Sequence, residues 1–411
     1  MIKTIKDYIP RPEYLEKVRP FIGKGLIKAI IGQRRTGKSY ILYQIMDEIR
    51  SLPKVHSKDI LYINKELQEF SEIQNHTDLL TYLHPFLQDG RKKYLFIDEI
   101  QDIQTFEKAL RDLQAKDQVD LYCSGSNAHL LSSELAGRLG GRYIEIEIFP
   151  LNFKEFLTFH KLQAAQDTFF KYLQFGGLPY LKHLPLDEDI VFDYLKNVYN
   201  SIVLKDIVSR YKTRNVVFLE LLIDYLAKQI GSLFSGKKIS DFLTSQNRKI
   251  STTVVLHYIS FLRATFLIHK VPRFDVIGKK IFEIGEKYYF TDLGLRNSLC
   301  GFSTPDFTRL LENAVFLHFK AQGYRLSVGK FHDQEIDFIC QKKDQVLYVQ
   351  VSYLIESEKT RSREFGSLLK IQDQFPKMVL SLDPYAKGTV QGVHHYNLIS
   401  FLTDPCLSKI S

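Results

Sequence analysis

The 411-residue sequence is poor in cysteine and has no long apolar runs. Its four cysteines (Cys123, Cys300, Cys340, Cys406) include no C-x-x-C pair, the spacing that would suggest a zinc site or a redox dithiol. No stretch of eighteen or more uncharged apolar residues occurs, so no membrane-spanning helix is expected. The opening residues, MIKTIKDYIPRPEYLEKV, lack the uninterrupted apolar core of a secretory signal. Together these absences lead to the expectation of a chain that works in a reducing cytoplasm, with no membrane partner. Internal repeats, low-complexity tracts and long Gly/Ser/Pro linkers are also missing, so domain boundaries must be read from changes in pattern.

What is present is a composition of 45% hydrophobic and 25% charged residues, that of an ordinary globular protein long enough for two or three domains. The formal charge of +9 is unevenly spread: residues 201–300 hold 16 Lys and Arg against 8 Asp and Glu, a net of +8. A concentrated basic region suits a polyanionic partner such as DNA or RNA, although a solvated basic surface has the same composition.

Residues 26–149 alternate apolar β-type runs (LIKAII, ILYIN, YLFID, DLYCSG, YIEIEIF) with helical stretches (SYILYQIMDEIRSL, TFEKALRDLQAKDQ). Strands separated by helices predict an α/β fold with a parallel sheet covered on both faces, and the clear alternation of the fifth run predicts an edge strand. A mainly helical region follows, broken by FGGLPYL at 175–181, a turn signal. Residues 236–290 read as helix, turn, helix and hairpin: ISDFLTSQ, then a second helix capped by Ser251, then a hairpin with Gly278 at its tip. That order predicts a winged helix-turn-helix. Residues 306–411 read as a small α/β domain. The expected division is therefore 1–157, 158–235, 236–305 and 306–411.

The stretch GQRRTGKS at 32–39 fits G-x-x-x-x-G-K-[ST] between a strand and a helix. Glycines let the backbone curl so that successive N–H groups point at phosphate oxygens, and the following helix adds the positive end of its dipole. The expected cradle comprises Gly32, Gln33, Arg34, Arg35, Thr36, Gly37, Lys38, Ser39 and Tyr40. In it, Lys38 reaches the β- and γ-phosphates and Ser39 ligates Mg²⁺. Some sixty residues on, KYLFIDEIQD ends a strand in Asp98 and Glu99. Asp98 is expected to hold the Mg²⁺ shell and Glu99 to orient or deprotonate an attacking water. The two motifs together predict an NTPase.

GQRRTGKS, LFIDEIQD and YCSGSNAHLLSSELAGRLGGRYIEIEIFPLNFKEFL, with GGLPYL, YYFTDLGLRNSL, LENAVFLHF and EIDFIC further along, resemble the prokaryotic AAA-type ATPases that carry a C-terminal restriction-endonuclease-like domain. The resemblance implies ATP as the nucleotide and a sensor residue in CSGSN, Ser126 first and Asn127 second. It also implies an arginine finger, Arg142 or its competitor Arg138, supplied to a neighbouring subunit or needing a partner. In the last domain it implies a metal site at Glu312, Asp337 and the YVQVSY strand. Where the fold usually has Glu-x-Lys, this sequence has Gln350 and Ser352, and Glu335 shares a strand face with Asp337. The site is therefore expected to be degenerate.

Lys237 and Lys238, with Arg248 and Lys249 at the turn, are where nucleic-acid phosphates would be met. The second helix offers few base-reading groups beyond Ser251, Thr252 and His257. Hydrolysis coupled to conformational change on nucleic acid or a protein partner is the expectation. A nucleotide-gated DNA-binding regulator with little turnover and an ATP-assisted nuclease are the alternatives.

Overall fold

The computed structural model describes residues 8–128, 139–213, 215–245, 250–278, 280–384 and 386–404. These form two compact units, residues 1–148 with 264–266, and residues 149–263 with 267–411.

The first unit is built on a five-stranded parallel sheet of β1 (Ile27–Ile31), β2 (Ile60–Asn64), β3 (Lys93–Asp98), β4 (Val119–Gly125) and β5 (Tyr143–Glu147), in the order β2-β3-β4-β1-β5. All five strands expected from the sequence are present, and the fifth lies at an edge. Side chains alternate strictly between faces. Ile30, Ile60, Phe96 and Tyr122 pack under helices α1 (Pro12–Val18) and α2 (Lys38–Arg50). Ile27, Ala29, Ile31, Leu95, Ile97, Leu121 and Cys123 face α3 (His76–Leu83) and α4 (Phe106–Ala115). Helix α2 meets the sheet through Ile41, Leu42, Ile45, Met46 and Ile49, the spacing of one helical face. A buried polar knot lies on that same face: Lys28 pairs with Asp120, which also accepts the Tyr122 hydroxyl at 2.6 Å and the Gly23 N–H at 2.9 Å.

In the second unit, helices including Phe153–His160, Gln166–Phe175, Glu188–Ser201 and Val216–Lys228 precede an eight-stranded mixed sheet. Its strands are β6 (Ile268–Asp275), β7 (Lys280–Phe290), β8 (Arg325–Phe331), β9 (Gln334–Lys342), β10 (Gln345–Val351), β11 (Lys377–Ser381), β12 (Lys387–Val390) and β13 (Val393–Asn397), in the order β12-β13-β11-β10-β9-β8-β6-β7. Helix Phe307–Ala321 covers one face through Leu310, Leu311, Ala314 and Val315, and helix Glu358–Leu369 covers the other through Phe365 and Leu368.

The helix pair Gly236–Ser245 and Thr252–Ala264, followed by a hairpin, appears in the expected order. The hairpin is not a free-standing wing, however: β6 pairs in parallel with β8. Residues read from sequence as separate segments on either side of 305/306 thus share one sheet. The pattern on each strand was local, but the pairing of β6 with β8 bridges some fifty residues and carries no local signal.

Two glycine motifs close on each other in this unit. The carboxylate of Asp292, ahead of helix Leu293–Cys300, accepts the Gly177 N–H at 2.7 Å and the Leu295 N–H at 2.9 Å. The Asn297 amide donates to the Leu173 and Gln174 carbonyls at 2.8 and 2.9 Å. Burial is the chief cause that pushes the Asp292 carboxyl up to about 6, against the pull of its three backbone donors. GGLPYL and YYFTDLGLRNSL are thus two halves of one structural clasp.

Candidate functional site

Loop 32–37 leaves the C-terminal end of β1 and enters α2. Gly32 has φ +146°, and a Cβ there would stand 2.3 Å from the Ile148 carbonyl oxygen, so only glycine fits. Gly37, at φ 93°, makes the left-handed turn into the helix. Arg35 also lies at positive φ, 70°. The loop closes on itself: the Thr36 hydroxyl donates to the Gln33 carbonyl at 2.9 Å, and Lys38 Nζ donates to the Gly32 and Gln33 carbonyls at 3.1 and 3.0 Å. Arg34 reaches Glu66 at 3.3 Å, and Tyr40 exposes about half its surface on the first turn of α2. Both polar atoms of the Gln33 side chain are buried without a hydrogen-bond partner among the described residues, the kind of orphaned group that a seated ligand or water satisfies.

Asp98 ends β3 and Glu99 follows it, with β4 lying between this strand and β1. By the two-residue period, Asp98 falls on the α2 face with Phe96, and Ser124 does so with Tyr122. The Ser124 hydroxyl donates to Asp98 Oδ1 and accepts the Glu99 N–H at 3.1 Å. The Tyr62 hydroxyl, from the middle of β2, donates to Asp98 Oδ2 at 3.1 Å. Burial is the main cause that holds the Asp98 carboxyl above the usual carboxylate range, and Glu99 adds to it. Hydrogen bonds from Ser124 and Ser39, with the charge of Lys38, pull it back. A buried carboxylate short of positive charge beside a serine hydroxyl is a donor set suited to a hard divalent cation.

Glu99 itself takes a left-handed backbone, φ 55°. This turns its side chain toward the loop, where Oε1 stands 4.0 Å from Lys38 Nζ. Its other oxygen accepts from Ser126 Oγ at 3.3 Å and from the Gln101 amide. Asn127 is buried beside them in sequence.

Lys38, Ser39, Asp98, Glu99 and Ser126 are therefore gathered at one end of the sheet. Sequence reasoning missed Ser124, Tyr62, Gln101 and Arg11. Arg11 is buried, donates to the Thr36 carbonyl at 3.2 Å and stacks 4.6 Å over the Tyr14 ring, bracing the loop from outside. The RPEYLEKV stretch carries it, but nothing in that stretch announces the contact.

Arg142 lies at the other end of the sheet. It precedes β5, exposed, and its carbonyl accepts the Ile27 N–H at 3.1 Å where β1 begins. With Lys108, Arg111, Asp112 and Gln114 it borders an open cleft of about 620 Å³. Its competitor Arg138 lies outside the described residues.

Of the four expected nucleic-acid contacts, Lys237 and Lys238 are exposed on the first turn of their helix; Arg248 and Lys249 lie outside the described residues. His257 is exposed, its ring 4.4 Å from that of Phe261. The solvent face of this helix pair also carries Phe242, Val254 and Leu256, 53%, 39% and 46% exposed, which are side chains that read no base edges.

In the second unit Glu312, Glu335 and Asp337 come together, and Gln350 Oε1 accepts the Asp337 N–H at 3.3 Å. A residue the sequence did not single out, Lys287 of β7, stands among them. No three His, Cys, Asp or Glu side chains among the described residues form a group that could hold a metal ion.

Comparison with known proteins bears on both units. A family model described as an AAA domain matches residues 24–157, and one described as a domain of unknown function matches residues 166–306. An uncharacterized protein of Haemophilus influenzae is 33% identical over 402 residues, 97% of this chain and 99% of the relative. One of Methanocaldococcus jannaschii is 33% identical over 359 residues, 84% of this chain and 78% of the relative. Among solved structures, the Walker-type ATPase PABY2304 of Pyrococcus abyssi shares the fold, with TM-score 0.51, 15% identity, and coverage of 72% of this chain and 97% of that one. The loop-and-carboxylate geometry and these matches agree: the N-terminal part is an AAA domain with the P-loop ATPase fold, and the chain belongs to one family with its Haemophilus influenzae relative.

Proposed function

We propose that this protein is an ATP hydrolase whose turnover changes the state of the attached second unit. The observation that carries the reading is the convergence of Lys38 Nζ, within 4.0 Å of Glu99, with Asp98 and Ser39 at the end of a strand-loop-helix whose buried Gln33 amide lacks a partner among the described residues.

In this reading the backbone N–H groups of residues 32–39 and the start of α2 bind the triphosphate tail, and Lys38 exchanges its two loop carbonyls for phosphate oxygens. Ser39 and Asp98 hold Mg²⁺, which when bound neutralises charge on the β- and γ-phosphates. Glu99, fixed by Ser126 and Gln101, orients the hydrolytic water and takes its proton. Arg142 cannot serve the nucleotide of its own chain. From Ile27 to Ile31 β1 rises by roughly 13 Å at ~3.3 Å per residue, and Arg142 lies beyond its far end. It serves a neighbouring subunit, so full turnover requires an assembly or a partner. The switch is the γ-phosphate, the group whose loss removes a contact shared by the loop, Asp98 and the Ser126 segment.

Lys237 and Lys238 offer phosphate contacts to nucleic acid. The apolar exposed residues Phe242, Val254 and Leu256 favour a protein as the partner of the helix pair.

The test is ATP binding and hydrolysis by the full-length protein and by Glu99→Gln. Tight Mg-ATP binding by both, with turnover only in the wild type, supports the reading. No heat of binding for either, or equal turnover in both, rejects it.

A further inference from the structure

The second unit has a carboxylate cluster in the position where the family resemblance implies a metal site and the sequence predicts a degenerate one, and the residues present do not fit a metal. Lys287 projects from β7, where it pairs with Val271 of β6. Its Nζ lies 2.7 Å from Glu335 Oε1 on β9 and 3.4 Å from Glu312 Oε2 on helix Phe307–Ala321. The Tyr289 hydroxyl donates to the same Glu312 oxygen at 3.1 Å. Asp337 completes the cluster, and one of its oxygens is already held by the Val351 N–H at 2.8 Å. Lys287 is 3% exposed and Asp337 6%, so neither side chain has solvent to swing into.

A divalent ion would have to stand within roughly 2.0–2.6 Å of these same oxygens, in the space the ammonium fills. Two neutral residues reinforce the point. Gln350 spends its carbonyl oxygen on the Asp337 backbone, and Ser352 offers neither charge nor a second carboxylate. Burial by itself lowers a lysine, but Glu312, Asp337 and Glu335 together outweigh it and hold Lys287 above the usual lysine range.

We infer that Lys287 is the resident cation of this cluster, a side-chain replacement for a metal, and that the cluster fastens the β6–β7 hairpin to β9 and helix Phe307–Ala321 rather than cleaving phosphodiesters. The hairpin continues directly from helix Thr252–Ala264. The Lys287 backbone also bridges to Leu233, just ahead of helix Gly236–Ser245. One buried ion-pair cluster therefore ties both ends of the helix pair to the sheet. A motion of that pair must be carried to the sheet or must break the cluster.

The test counts Mn²⁺ bound by the nucleotide-free, full-length protein, read from the loss of the free-ion electron paramagnetic resonance signal. Four forms are compared: wild type, Asp337→Asn, Lys287→Met and the Lys287→Met/Asp337→Asn double variant. Wild type and D337N are expected to bind equal numbers of Mn²⁺. K287M gains one site, which the double variant loses. Thermal midpoints supply a second reading: EDTA leaves the wild type unchanged, whereas Mn²⁺ raises the midpoint of K287M. A wild-type Mn²⁺ site that D337N abolishes overturns the inference, because a metal then coexists with the lysine. A folded K287M that takes up no additional Mn²⁺ overturns it as well. If K287M fails to fold, the wild-type and D337N counts still decide.

Discussion

Ser124 and Asp98 meet across neighbouring strands, the serine hydroxyl donating to Asp98 Oδ1 while accepting the Glu99 N–H at 3.1 Å. One small side chain thus sets the two acids at a fixed separation, the buried carboxylate of Asp98 on one side and the left-handed turn of Glu99 on the other.

Replacing Ser124 with alanine should therefore damage turnover more than binding. Supporting hydrogen bonds of this kind are worth about 10- to 100-fold in activity, and leaving the buried Asp98 oxygen and Glu99 N–H unpaired costs about 1–3 kcal/mol of stability. The expected outcome for Ser124→Ala is a kcat down by roughly one to two orders of magnitude, an ATP Kd within a few-fold of wild type, and a lowered thermal midpoint. A wild-type kcat would show that the acids hold their geometry without it.

Asp98 gives the site a pH dependence with a definite sign. Its carboxyl is held above the usual range chiefly by burial, and only the ionised form attracts Mg²⁺. As pH falls through that raised value, protons should displace the proposed cation and Mg-ATP affinity should drop; as pH rises, affinity should recover and level off. Titrating Kd for Mg-ATP from neutral to acid pH, in wild type and Asp98→Asn, isolates this from the nucleotide's own titration. Parallel curves for the two proteins would assign the pH dependence elsewhere.

The glycine clasp tests a different link, from sequence motif to packing. A Cβ on Gly176 would lie 2.4 Å from Asp292 Oδ1 with φ at +75°, and one on Gly294 would lie 2.0 Å from the Phe175 carbonyl oxygen. Gly176→Ala and Gly294→Ala should each cost about 1–3 kcal/mol through overpacking and strain, seen as a lower urea midpoint. Gly366 is the control: it lies in helix Glu358–Leu369 with nothing within 4 Å of an added Cβ. Alanine there should be neutral or stabilising. Equal effects at all three positions would remove the clasp from the account.

The strands, the loop and Asp98/Glu99 were legible in the sequence because their signals are local: an apolar run, a glycine spacing, a carboxyl pair at a strand end. Ser124 was not singled out beside Ser126, since its bonds to Asp98 and the Glu99 N–H depend on β3 and β4 being neighbours, and that follows only once strand order is known. Lys287 was hidden for a similar reason. It lies 25 residues from Glu312 and 48 from Glu335, and the pairing of β6 with β8 that brings β7 beside them leaves no trace in periodicity. GGLPYL, legible as a turn signal, and YYFTDLGLRNSL, legible as part of the family resemblance, meet through glycines and Asp292 that answer to close packing.

Arg142 raises a question about assembly that one pair of inactive variants can answer. Its place beyond the start of β1, at the far end of the sheet from Lys38, is out of reach of its own chain's loop, so the proposed finger role requires a neighbouring chain. Arg142→Ala should keep Mg-ATP affinity and lose about 10³- to 10⁵-fold in turnover, and wild-type turnover per subunit should rise with protein concentration. Glu99→Gln is expected to be inactive for another reason: its own site would lack the proposed base while its Arg142 is intact. Mixing the two pairs an intact site in the Arg142→Ala chain with an intact arginine from the Glu99→Gln chain. Partial activity in the mixture, absent from either parent, is the expected result. A mixture as inactive as its parents, from proteins shown by light scattering to co-assemble, would take the finger role away from Arg142 and leave it as one of the basic residues at the cleft by Lys108 and Arg111.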